Sequence, residues 1–147
     1  MIFNKIILKD KIFHAIEIGF HNDMDLFEKY HYLNTQDAKT CSLHTFNSIL
    51  EFCDTYAGEF YEVLQGDIVI GFTVISKPYN ILYSFGINIE YRNIDNLATW
   101  FELVSFLLQE NFTCLLYAKN KRAIEFLVKN GMYIFDQDED LVSLNFN

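Results

Sequence analysis

Four histidines, three cysteines and a spread of carboxylates are among the side chains in this sequence able to shuttle a proton, attack a carbonyl or hold a metal. His14, His21, His31 and His44 include no H-x-H or H-E-x-x-H pair, and Cys41, Cys53 and Cys114 supply no C-x-x-C, so no metal site is expected. An odd number of cysteines without framework spacing reads as reduced thiols in a reducing compartment. Cys41 and His44 lie near enough in sequence for a cysteine–histidine nucleophile, but no glycine-rich elbow or oxyanion loop accompanies them. His21, Asp23 and Asp25 could gather at a helix start, where capping explains both aspartates more simply. No G-x-G-x-x-G turn and no Walker loop is present. Glu90 alternates with Ile89 and Tyr91 as an exposed strand residue does, and Asn120 stands where a helix needs a cap.

The chain that must position these groups has 147 residues, the length of one domain, and is 51% hydrophobic and 17% aromatic. That much apolar surface offsets the entropy of ordering and excludes disorder. A formal net charge of −9 argues against binding nucleic acid directly through phosphates; acidity of this kind reads as solubility far more often than as a surface imitating DNA. It does suit a protein partner met by an acidic, aromatic surface, with the segment 52–61 as the place for it. No apolar run is long enough for a membrane helix, and Met1-Ile2-Phe3-Asn4-Lys5 does not open a secretory leader, so a cytoplasmic protein is expected.

Residues 2–8 and 12–20 read as strands, 23–33 as a short helix, and 43–56 as a second helix with Leu43, Phe46, Leu50 and Cys53 at helical spacing. Strands follow at 60–64 and 68–76 around Gln65-Gly66-Asp67, and a third at 81–91 after Pro78 and Asn80, all three antiparallel. From Asp95 the stripe Leu97, Trp100, Phe101, Val104, Leu107, Leu108 is helical. Residues 112–118 read as a strand parallel to its neighbour, 120–130 as a helix ended by Gly131, and 132–135 with 141–146 as a closing hairpin. The order predicts an α/β (α+β) fold, a mixed sheet of six or seven strands flanked by about four helices, in one domain over 1–147.

Three stretches within this order resemble the GNAT (GCN5-related N-acetyltransferase) superfamily. Gly66-Asp67-Ile68-Val69-Ile70-Gly71-Phe72 is similar to its third-strand phrase, and Ile87-Asn88-Ile89-Glu90-Tyr91-Arg92 to its fourth-strand end, "V-x-P-x-Y-R". The run from Asn120 through Phe126, Leu127, Lys129 and Gly131 to Met132 is similar to its "N-x-x-A-x-x-F-Y-x-K-x-G-F" helix. With Leu127 in that helix and "Phe-Thr-Cys-Leu-Leu-Tyr" ahead of it, the chain is closer to GNAT-like proteins of bacteriophages, which would place it in a host cytoplasm or a virion.

The resemblance implies an acetyl-CoA site where the fourth and fifth strands splay. Backbone at Ile87 and Ile89 would meet the pantetheine arm; Arg92 and the 93–97 loop (Asn93, Asp95, Asn96, Leu97) would hold the pyrophosphate; Asn120 would contact the cofactor. It also implies a base, for which Glu90 is the candidate, and a general acid. Leu127 replaces the usual tyrosine; Tyr133 is the candidate in its stead, with Tyr117 also near in sequence. The family loop has small residues where this chain has Asp95 and Leu97, and Asp95 is expected to cap the helix and repel the phosphates, weakening CoA binding. Two readings follow: an N-acetyltransferase acting on an amine, or a GNAT-fold protein without catalysis that binds another protein. Many members of the superfamily are dimers.

Overall fold

The computed structural model describes residues 1–6 and 46–146, apart from Asn88 and Glu110. The strand expected over 12–20, the helix over 23–33 and the groupings at His21 and at Cys41–His44 lie outside those residues.

Seven strands form one mixed sheet in the order β1-β2-β3-β4-β5-β7-β6. They are β1 Ile2–Ile6, β2 Gly58–Gln65, β3 Ile68–Ser76, β4 Ile81–Ile87, β5 Thr113–Tyr117, β6 Met132–Gln137 and β7 Leu141–Phe146. Three helices are described: α1 Phe46–Tyr56, α2 Ile94–Leu108 and α3 Lys121–Lys129. The α/β class and the mixed sheet are therefore as the order of elements predicts. β1 to β4 are antiparallel, β4 and β5 parallel, and β5, β7 and β6 antiparallel.

Local chemistry explains the joints. Gly66 takes φ +60° in the β2–β3 turn, a left-handed conformation that other side chains resist. Gly131 does the same at φ +104° after α3, its N–H donating to the Val128 carbonyl at 3.1 Å. The chain turns into β4 through Asn80, whose N–H reaches the Lys77 carbonyl at 3.3 Å.

β3 is buried along nearly its whole length because both sheet faces are covered there. On one face, Trp100, Val104 and Leu108 of α2, one helical turn apart, pack with Leu127 of α3 against Ile70, Ile75 and Leu82. On the other, Ile49 and Phe52 of α1 pack against Phe60, Phe72 and Val74. Trp100 carries a polar handle into the first core and satisfies it there, its Nε1–H donating to Thr73 Oγ1 at 2.9 Å.

One boundary and one burial pattern differ from the expectation. β4 stops at Ile87 instead of Tyr91, and Ile89–Tyr91 form one 3₁₀ turn. The apolar alternation runs on through Ile89 and Tyr91, so periodicity alone could not end the strand. In the segment 52–61, Phe52, Phe60 and Tyr61 are buried, while 54–57 are exposed and include Tyr56, 39% exposed, the one aromatic residue of the segment on the surface.

Candidate functional site

β4 and β5 share only two rungs, Ile81↔Thr113 and Leu82↔Cys114. Beyond them β4 continues beside β3 as far as Ile87↔Gly71, and β5 continues beside β7 as far as Tyr117↔Leu141. The two central strands thus part, each still held by its outer neighbour. The cause lies in the β3–β4 ladder. Leu82 opposes Ile75 and Ser84 opposes Val74, so Tyr83 is an extra residue, a bulge. A bulge bends the strand that carries it, and this one falls on the first residue past the last shared rung.

A glycine holds β4 close on its other side. A Cβ on Gly71 would sit 2.1 Å from the Gly86 carbonyl oxygen and 3.0 Å from the Ile87 Cα, backbone that cannot swing away. Gly71 therefore lets β3 grip the parted end of β4.

On β5, Cys114 and Leu116 point into the core with α2 and α3. Alternation turns Leu115 and Tyr117 to the opposite face, where Leu115 is 39% exposed and Tyr117 half-buried. Tyr117 thus stands on one parted strand and Tyr83 on the other. Tyr133 is not brought there: it lies on β6, at the end of the sheet, with β7 between it and β5. Leu127 is fully buried, so its position on α3 offers no surface to a ligand.

The loop from β4 to α2 closes on itself by polar contacts. Arg92 Nε–H donates to the Ile87 carbonyl at 2.5 Å, folding the guanidinium back over the end of β4. Asn96 Nδ2–H donates to the Tyr91 carbonyl at 2.9 Å. Asn93 is the N-cap: its Oδ1 accepts the Asn96 N–H at 2.8 Å, and its carbonyl accepts the Leu97 N–H at 3.0 Å. This corrects the expectation that Asp95 caps the helix. Asp95 sits in the first turn, exposed, and the signal for Asn93 was its own residue type, a preferred cap. A helix start leaves further N–H groups pointing outward, here those of Ile94 and Asp95.

Glu90 is exposed in the 3₁₀ turn at the end of the parted β4, not on the strand itself. Asn120 precedes α3 just after β5; its side chain makes no capping bond, so capping does not account for it. Ile87 ends β4, Glu90, Arg92, Asn93, Asp95, Asn96 and Leu97 follow it, and Asn120 follows β5, at the two tips of the parting. Among the described residues no cluster of histidine, cysteine or carboxylate could hold a metal, and no helix is long and apolar enough to cross a membrane.

No protein-family model matches the sequence, and no curated protein matches it. Solved structures match the fold. A GNAT-family acetyltransferase assignment from Bacteroides thetaiotaomicron superposes with a TM-score of 0.66 at 14% identity, over 100% of this chain and 87% of that one. The GNAT domain of the S. lividans PAT protein gives 0.63 at 11% identity, over 84% of each chain. The Campylobacter jejuni N-acetyltransferase PseH, in complex with acetyl coenzyme A, gives 0.58 at 12% identity and 99% of each. The chain has the GNAT fold. These relatives are bacterial, and the narrower likeness to phage proteins draws no support from them.

Proposed function

We propose that this chain is an acetyl-CoA-dependent N-acetyltransferase, with the parted strands β4 and β5 as its donor site. The observation that carries the reading is the coincidence of the Tyr83 bulge with the last rung, Leu82↔Cys114, which opens backbone of both strands to an extended ligand. The residues at hand fit the thioester arm of the donor: unpaired strand backbone can hydrogen-bond amides, and a donor aimed at the carbonyl stabilises charge as it develops. At the far end, the N–H groups of Ile94 and Asp95 face outward where a pyrophosphate would lie, with the helix dipole in its favour. Asp95 opposes it with a charge of like sign. The donor is thus held mainly by its pantetheine arm, and weakly for a site of this kind.

In this reading the chain's residues divide the work by position. Glu90 takes a proton from the protonated acceptor amine, directly or through water, since only the free amine is a nucleophile. The amine nitrogen then bonds to the acetyl carbonyl carbon, the carbon–sulfur bond breaks, and the nitrogen releases its surplus proton to solvent as the amide forms. The departing thiolate takes a proton, for which the Tyr117 hydroxyl, on the parted strand, is better placed than that of Tyr133. Asn120, whose side chain makes no capping bond, contacts the donor from the tip of β5.

The test is release of free thiol from acetyl-CoA in the presence of a panel of small amines and peptides. Turnover that Asn120→Ala reduces, with an unchanged thermal midpoint, supports the reading. Absence of binding to acetyl-CoA in a folded protein removes it.

A further inference from the structure

Glu62, Thr73, Ser76 and Ser84 carry polar side chains into the buried part of the sheet. Buried polar groups are hydrogen-bonded as a rule, and one that is not calls for a reason. Thr73 accepts the Trp100 indole N–H at 2.9 Å. Ser76 donates to the Tyr56 carbonyl at 2.6 Å and accepts the Tyr79 N–H at 3.3 Å. Glu62 is engaged as well. Ser84, 7% exposed, differs: its hydroxyl meets no hydrogen-bond partner among the described residues.

Ser84 stands where the sheet opens. It is the second residue of β4 past the rung Leu82↔Cys114 and follows the Tyr83 bulge directly. Its partner on β3 is Val74, which packs with α1. The next residue, Phe85, turns to the other face and lies against Trp100, ring centroids 4.8 Å apart. Ser84 therefore faces the α1 side of the sheet. Leu115 and Tyr117 face that side from β5, because Cys114 and Leu116 between them pack with α2 and α3. The following β4 residue on that face, Gly86, has no side chain. One buried hydroxyl thus borders the opening near its closed end.

The outward N–H groups of Ile94 and Asp95 lie beyond the other end of β4, past Ile87. A donor with its pyrophosphate there carries its acyl group inward, toward Leu82 and Ser84. We propose that Ser84 is a catalytic residue of this site, its hydroxyl donating to the thioester carbonyl oxygen of the bound acetyl donor. This rests on the donor-site reading above. As the amine nitrogen bonds to the carbonyl carbon, an electron pair moves onto that oxygen, and the hydroxyl stabilises it. The pair returns as the carbon–sulfur bond breaks, and Ser84 keeps its proton throughout. A hydroxyl that holds no other acceptor turns to that oxygen without breaking a bond.

Ser84→Ala and Ser84→Cys, the second close in size but a weak donor, test this in the full chain. Acetyl-CoA labelled with carbon-13 at the carbonyl is bound without an amine and read by infrared difference spectroscopy. The carbonyl stretch is expected at lower wavenumber in the wild type than in either variant. With an amine present, kcat for thiol release is expected to fall on the order of a hundredfold in both, with acetyl-CoA affinity nearly unchanged. The thermal midpoint of Ser84→Ala stays level or rises, since no protein bond is lost, whereas Ser76→Ala gives up its bond to Tyr56 and melts lower. A carbonyl stretch that is the same in all three proteins overturns the proposal and leaves the donor site standing. So does a Ser84→Ala that melts as far below the wild type as Ser76→Ala does. A folded wild type that does not bind acetyl-CoA removes the donor-site reading and the role of Ser84 together.

Discussion

Leu82 and Cys114 form the last rung that β4 and β5 share, and the next residue of β4, Tyr83, is the one left over on β3's side as well. The strand bends at a single point, and there the sheet opens. The loop that follows β4 and the helix that follows β5 are carried to the two sides of that opening, so a ladder irregularity in the sheet makes the candidate site.

Gly71 secures the bent strand. Gly71→Ala forces a Cβ against the Gly86 carbonyl and the Ile87 Cα, and β4 must shift at its parted end. We expect a loss of about 2–3 kcal/mol in stability by denaturant titration, with any acetyl-CoA affinity lost disproportionately.

Asp95 and Asn93 separate charge from capping. Asp95→Asn removes the charge that opposes a pyrophosphate while leaving the Asn93 cap in place, so acetyl-CoA should bind roughly three- to tenfold more tightly at low salt, and the gain should shrink as salt screens it. Asn93→Ala should lower stability by about 1 kcal/mol by orphaning the Asn96 N–H. Calorimetric titration and thermal melts of the two variants check both.

The Trp100 indole depends on Thr73. Thr73→Val keeps the shape but leaves a buried N–H without its acceptor, at a cost of about 1–3 kcal/mol. Comparing it with Trp100→Phe and the double variant isolates the bond: the second substitution should cost much less once the first is made.

Glu59 gives the acid limb of stability a readable contribution. Burial alone would raise its pKa, but the Tyr61 hydroxyl that donates to it and the charges of Lys77 and Lys5, at 3.5 and 3.8 Å, hold it below the ordinary value of 4.5. A depressed carboxylate stabilises fully above its unfolded pKa and loses that contribution as pH falls through the folded one. Tyr61→Phe should therefore narrow the stability difference between pH 6 and pH 3, measured by urea unfolding.

Much of the frame was legible because it is written in local pattern. β3 and β7 have the predicted bounds since turn residues flank them and every second side chain meets a core. The end of β4 was not legible: Ile87, Ile89 and Tyr91 keep the alternation of a strand, and the chain breaks from it where Arg92 and Asn96 return to the carbonyls of Ile87 and Tyr91. The burial of Tyr61 depends on strands brought beside it from elsewhere in the chain, and no short window carries that. At the candidate site, Arg92 to Leu97 can be read from sequence as the stretch between a strand and a helix, while nearness in sequence groups Tyr133 with them and the sheet order sends it to the edge, beyond β7. The Tyr83 bulge left no mark in residue type at all.

Acetyl-CoA titrated into the isotopically labelled protein, with backbone amides followed by NMR, reaches the central claim most directly. The account predicts saturable shifts concentrated at 83–87, 94–97 and 115–120, with little change at β1 or β6. Shifts confined to other parts of the sheet, or none at all while the fold stays intact, would contradict it.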